Sequence, residues 1–185
     1  MVTDLVQIRR LGEAKEAENL HFRRYLSAHR VPIAPLRDVA TEISRQIDCT
    51  QCANCCRHGS VIVSQAEIEA IADYLGIEPA EVVRQYTAPD PEGPATRLLR
   101  STRDGCVFLE GNLCMIYEAR PRACREFPHV TLAKRSLGGR VSSLCRWAPL
   151  CPIIYNALEA YKRLVGYHPW AAGQENGSRA AGGRG

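Results

Sequence analysis

A small, loop-rich α+β domain with several helices and one short antiparallel hairpin is the fold this sequence predicts. Three observations lead there. Apolar residues recur at helical spacing in several separate segments. Short strand-like runs are divided by Asp-Gly and Glu-Gly-Asn turn signals. Nine cysteines are spread through 185 residues, too thinly for a disulfide-built mini-protein. At 45% hydrophobic and 24% charged, the composition is that of a globular chain and excludes a wholly disordered one. The length suits one compact domain with extensions, large enough to bury a core without covalent staples.

The elements follow in order. Residues 1–47 read as helical: 12–30 are rich in Ala, Glu, Leu and Arg, with Ala14, Ala17, Leu20, Phe22 and Leu26 as apolar members. After Pro32 and Pro35, the residues Leu36, Val39, Ala40, Ile43 and Ile47 form one amphipathic stripe that must lie against something. Ser64-Gln65-Ala66-Glu67 has the pattern of a capping box, followed by the stripe Ile68, Ile71, Ala72 and Leu75, with Gly76 placed to end the helix. Pro79 suits the first turn of a short helix through Tyr86. Three prolines in 87–95 predict a loop there. Residues 97–100, 106–109 and 113–117 read as strands, 118–126 as a short helix entered at Pro121, and 152–165 as a last helix stopped by Gly166. Residues 171–185 have no apolar periodicity and read as a tail. The domain reading is an N-terminal helical extension over 1–47, a cysteine-bearing domain over 48–166 and a disordered tail over 167–185.

The thiols carry the chemistry. No apolar run approaches the roughly 18–20 residues of a membrane span. The first ten residues contain no continuous apolar stretch of a secretory signal, so a cytoplasmic setting is expected. In a reducing compartment stable disulfides are rare, and an odd cysteine count prevents complete pairing. Metal ligands are the better reading. Cys49-x-x-Cys52-x-x-Cys55-Cys56 sets four thiols within eight residues, at the spacing by which a loop or helical turn holds a tetrahedral ion or iron–sulfur cluster. On one continuous helix, at about 100° per residue, Cys49, Cys52 and Cys56 would share a face and Cys55 would not. In a loop, Cys55 and Cys56 would tend to diverge. Either two sites share this segment, or remote thiols complete one site. Cys106, Cys114, Cys124 and Cys151 are the remote candidates, which makes eight, and Cys145 is the ninth.

These residues carry a resemblance. The run Cys49 to Cys56, with Gly105-Cys106-Val107-Phe108-Leu109 and Leu113-Cys114-Met115-Ile116-Tyr117-Glu118-Ala119-Arg120-Pro121-Arg122-Ala123-Cys124-Arg125-Glu126-Phe127-Pro128, resembles the YkgJ-type cysteine-cluster family. It covers roughly 48–152. Ala53 and Ile153 stand where members often carry glycine. The resemblance implies zinc or iron chelation, and its distant relatives among flagellin lysine methylases suggest an alternative, an iron–sulfur redox or methyl-transfer-related enzyme. It implies no established reaction.

Clustered thiolates need donors or cations nearby. Arg57, Arg120, Arg122, Arg125 and Arg146 flank cysteines, and Arg120 and Arg125 are the expected contacts to a bound cofactor, either zinc or an iron–sulfur cluster. His58 and His129 are weaker ligand candidates, since thiols already suffice. Residues 120–146 hold seven basic side chains and one acid. Yet aromatic interleaving is poor and the net charge is only +4, which argues against nucleic acid. No phosphate-binding glycine loop, nucleophile elbow or H-E-x-x-H motif occurs, so no catalytic constellation accompanies the thiols. The expected partners are a metal ion and, through the N-terminal helices, another protein. The expected role is metal handling or a metal-stabilised module.

Overall fold

The computed structural model of the chain describes residues 1–131 and 141–169. These residues form an α+β fold of ten helices and seven short strands. In chain order they are α1 (Leu5–Ala14), α2 (Glu16–Ala28), α3 (Ala34–Ser44), α4 (Cys49–Cys52), α5 (Asn54–His58), β1 (Ile62–Val63), α6 (Gln65–Leu75) and α7 (Pro79–Tyr86). There follow β2 (Thr87–Asp90), β3 (Gly93–Leu99), β4 (Ser101–Thr102), β5 (Gly105–Cys106), β6 (Leu109–Glu110) and β7 (Leu113–Cys114). The last helices are α8 (Arg122–Glu126), α9 (Val141–Trp147) and α10 (Pro152–Leu164). The chain divides into two compact units, Met1–Ile47 with Val130–Gly185, and Asp48–His129. No helix of the described residues is long and apolar enough to cross a membrane.

The first unit is helical. The stripe on α3 finds its partner in α10, and Leu36 and Ala40 are fully buried. On α2 the buried residues are Asn19, Phe22 and Leu26, whereas Ala17 and Leu20 of α2 and Ala14 at the end of α1, expected as apolar members, are exposed. Phe22 sets the inward direction because it has the most area to bury. Leu20 lies two positions away, about 200° around the helix. α10 enters at Pro152, and Gly166 ends it in the left-handed region at φ 66°. Its Tyr161 hydroxyl donates to the Pro32 carbonyl. Lys162 is only 3% exposed and pairs with Glu18 at 2.6 Å and Glu159 at 2.7 Å. α9 has no counterpart among the predicted elements. The tail expected over 167–185 lies outside the described residues from 170 onward; Tyr167 is buried, its ring centroid 4.8 Å from that of Phe22.

The second unit is built on α6. Its capping box is present: the Ser64 side chain accepts from the Glu67 amide, and Glu67 accepts from the Ser64 amide at 2.8 Å. Gly76 closes the helix at φ 66°. Ile68, Ile71 and Ala72 join Val63, Val82, Leu99, Phe108 and Ile116 in one buried cluster. A three-stranded antiparallel sheet lies in the order β1-β3-β2. It overturns the loop expected at 87–95. Pro89 sits on an edge strand, Pro91 in the turn, and Pro94 within a bulge, where the register passes from Pro89↔Arg97 to Asp90↔Gly93. Those are the places where a missing amide costs no ladder bond. The single expected hairpin is instead two, β4 with β5 and β6 with β7, because each turn signal closes its own pair of two-residue strands.

Candidate metal centre

The local thiol run does not form one helix. Asp48 caps α4, accepting from the Thr50 amide at 2.8 Å, and Ala53 at φ 47° separates α4 from α5. Cys49 is exposed, while Cys52, Cys55 and Cys56 are half-buried. Cys55 and Cys56 do not diverge as expected: their sulfurs lie 4.0 Å apart. That hydrogen bond is the main force that lowers Cys56 to about 7. Arg120 and Arg57 add to it against the opposing effect of burial. Cys56 is thus the thiol best placed to exist as thiolate near neutral pH.

The remote thiols arrive through a structural repeat. Ser101 pairs with Cys106, and eight residues later Leu109 pairs with Cys114. Val107 donates its amide to the Arg100 carbonyl at 2.9 Å, and Met115 does the same to Phe108 at 2.9 Å. Each hairpin then turns a main-chain amide onto its own cysteine, from Phe108 to Cys106 and from Ile116 to Cys114. The residue that gives this amide is 1% exposed in both copies, so the hydrophobic core fixes the direction of the N–H. Sequence reasoning missed the duplication. Its signal is the eight-residue step that superposes Asp104-Gly105-Cys106-Val107-Phe108 on Asn112-Leu113-Cys114-Met115-Ile116.

Polar contacts and one close approach hold the hairpins on the local run. A side chain at Gly105, which sits at φ 127°, would meet the Cys56 carbonyl and the Arg57 Cα at 2.7 Å. Only glycine lets β5 lie directly on α5, and this seats Cys106 beside Cys56. Arg57 donates to the Gly111 carbonyl at 2.8 Å and to Asn112 Oδ1 at 2.6 Å, and Asn112 in turn donates to the Gln51 carbonyl at 3.1 Å. Arg57 therefore acts as a strut between α5 and the second hairpin.

Cys124, on α8, completes an inner group. Burial, followed by the charges of Cys56, Cys106 and Cys114, pushes its thiol up to about 12. Burial likewise raises Cys106 and Cys114, against the help of their amides. Arg120 is the common cation: its charge favours the thiolate forms of Cys49, Cys56, Cys114 and Cys124. Its guanidinium lies 3.5 Å from the Tyr117 ring centroid and donates to the Tyr117 carbonyl at 2.8 Å. Arg125 is placed differently, donating to the Arg120 carbonyl at 2.6 Å, so it braces the segment that carries Arg120. The Arg122 amide donates to Glu67 Oε1 at 2.8 Å, tying the start of α8 to the start of α6.

Other candidates stand elsewhere. Cys151 belongs to the helical unit, buried at the N-cap of α10. Cys145 is buried on α9 in the same unit, its thiol donating to the Asn19 carbonyl at 3.6 Å. His58 is exposed at the end of α5, and His129 follows Pro128 at φ 63°. Lys134, Arg135 and Arg140 of the basic stretch lie outside the described residues. None of the nine cysteines forms a disulfide. Among the described residues no three Cys, His, Asp or Glu side chains converge closely enough to hold one ion as they stand. The chemistry of the donors nonetheless fits a metal. Sulfurs that raise one another's pKa while accepting amide hydrogen bonds form a set that a bound cation would ionise and draw together.

The fold and the thiols define a cysteine-rich module. Residues 48–150 match the model of the CxxCxxCC family, described as "Putative zinc- or iron-chelating domain", and the chain belongs to that family. No solved structure matches the chain.

Proposed function

We propose that the protein is a metal-handling module whose resident centre is held by Cys56, Cys106, Cys114 and Cys124, with the bound group also holding the Asp48–His129 unit together. The observation that supports this best is the duplicated hairpin, which aims a core-anchored amide at Cys106 and again at Cys114, both under the charge of Cys56. Amides directed at sulfur stabilise thiolates and orient them for a metal. Four thiolates on one divalent ion carry a net charge of about −2. Arg120 offsets part of that charge. Zinc and an iron–sulfur cluster both accept this donor set. Of the eight expected ligands, Cys49, Cys52 and Cys55 stand outside this inner group in the same unit, and Cys151 stands in the helical unit.

Anaerobic purification followed by zinc, iron and sulfide analysis tests the reading. Stoichiometric zinc in colourless protein, or iron with sulfide in brown protein, supports it and names the group. Cys106→Ser and Cys114→Ser are each expected to lose the metal and to lower the melting temperature, whereas Cys145→Ser keeps both. Unchanged metal content in the two hairpin variants sinks the assignment. Cys151→Ser, measured alongside, tells whether the eighth thiol contributes.

A further inference from the structure

A cavity of about 600 Å³ opens in the Asp48–His129 unit, lined by charged side chains rather than by thiols. Arg57 and His58 come from the end of α5, Arg103 and Asp104 from the turn between β4 and β5, and Leu109 and Glu110 from β6. Its size is that of clefts that hold small organic ligands, roughly 300–1,000 Å³. The hairpin repeat shows what is unusual here. The step that matches Cys106 to Cys114 also matches Asp104 to Asn112. In the second hairpin that position is committed to the fold: Asn112 accepts from Arg57 and donates to the Gln51 carbonyl. In the first it carries a charge, and the side chains of Asp104, Arg103 and Glu110 have no partner among the described residues. Arg57 is committed on one side only. Its bonds to the Gly111 carbonyl and to Asn112 Oδ1 both use Nη2, which leaves Nε and Nη1 without an acceptor among the described residues. A guanidinium held in place before a ligand arrives loses less freedom on binding it.

Two guanidiniums and two carboxylates thus line one space without forming an ion pair with one another. A simple anion there would meet Asp104 and Glu110, and a simple cation would meet Arg57 and Arg103, each at a cost in repulsion. A ligand with opposite charges at its two ends satisfies all four. The space exceeds what a single amino acid fills, and two or three residues suit it better. We propose that this cavity binds a short zwitterionic peptide, its carboxylate on Arg57 and Arg103, its ammonium on Asp104 and Glu110, and its stem against Leu109. A protein terminus would bring only one of the two charges. No thiol takes part, so this site stands or falls independently of the metal assignment.

The experiment is equilibrium dialysis of radiolabelled triglycine against the full chain as purified. Saturable retention of one equivalent is expected. N-acetyl-triglycine, which mimics a protein C-terminus, and triglycine amide, which mimics an N-terminus, should each bind at least about tenfold more weakly. The double variant Asp104→Asn/Glu110→Gln tests the ammonium end, and its first substitution installs the residue that the second hairpin already carries at that position. It should bind triglycine no better than the acetylated peptide, whose own binding it leaves unchanged. Arg103→Gln should weaken both peptides alike. Absence of saturable retention overturns the proposal, and so does either capped peptide that binds as well as triglycine. A double variant that still prefers the free amine overturns it too, because the ammonium would then sit elsewhere, for example on a bound metal. Should the variants melt below the wild type, the two capped peptides on the wild-type chain decide alone.

Discussion

Around Tyr161 the helical unit buries Ile8, Phe22, Leu36, Ala40 and Ala157 with no exposed surface at all. Around Cys56 the second unit offers half-buried sulfurs, two-residue strands and hairpin turns, with its apolar cluster gathered on α6 instead. One unit is consolidated by side-chain packing, which is complete as soon as the chain folds. The other gathers thiols whose ionised forms oppose one another, so that most stay protonated, and has one arginine common to four of them. The difference teaches where a bound ion acts. In the first unit an ion would add nothing to a core that is already dry. In the second it would ionise the protonated thiols and cross-link hairpins too short to be stable alone.

The largest expected effect tests that contrast directly. Metal binding by thiol sites commonly contributes on the order of 10 kcal/mol, and in small modules it supplies the folding energy itself. Stripping the protein with a chelator under reducing conditions should therefore expose the amides of β4 to β7 and α8 to rapid hydrogen exchange. Amides of α3 and α10 should keep their protection. Equal loss of protection in both units would erase the distinction drawn between them.

A smaller effect, confined to the helical unit, comes from its buried ion cluster. Burial alone would raise the Glu159 carboxyl, but hydrogen bonds from Lys15 and Lys162 overcome it and hold Glu159 below the ordinary carboxylate range. A carboxyl depressed in the folded state contributes stability that is present above its unfolded value. That contribution is lost as pH falls through the folded value. Lys15 is raised: burial opposes its charge, but Glu159 and Glu18 outweigh it, so its contribution fades only at strongly alkaline pH. Glu159→Gln should thus cost about 2 kcal/mol near neutrality and flatten the acid limb of the stability profile below the ordinary carboxylate range. Denaturant melts followed at α10 from neutral pH down through the acidic carboxylate range check this. An acid limb as steep as wild type would show that the cluster does not set it.

How much of this was legible in the sequence depends on the range of the interaction. Ser64, Glu67, Gly76, Pro79 and Gly166 act on their own neighbours, and each marks the helix end that its local chemistry predicts. The thiol spacing was equally plain, and it pointed to the family. Three other features depended on partners distant in the chain. The prolines of 87–95 were compatible with strand only because of the edge position of β2 and a bulge in β3. Leu20 lost its inward place to Phe22 because α2 has a single buried direction. Arg120 and Arg125, alike on paper, diverged because one guanidinium lies over Tyr117 while the other reaches back to a carbonyl. No spacing rule distinguishes those two arginines.

Glu67 gives the finest test, because it serves both the helix and the metal side of the second unit. Oε2 accepts from the Ser64 amide, closing the capping box, while Oε1 accepts from the Arg122 amide at the start of the helix that carries Cys124. Burial would raise this carboxyl, but those amides and the Ser64 hydroxyl hold it below its usual value, so it stays an acceptor through the neutral range. Ser64→Ala removes only the cap and should cost about 1 kcal/mol in the melting of the second unit. Metal affinity should stay at the wild-type level. Glu67→Ala removes the reciprocal half of the capping box and also releases α8, so a similar loss of stability should come with weaker metal binding, read by chelator competition. If both variants bind metal as the wild type does, the amide of Arg122 does not position Cys124, and the link between the apolar cluster and the thiols runs through Phe108 and Ile116 alone.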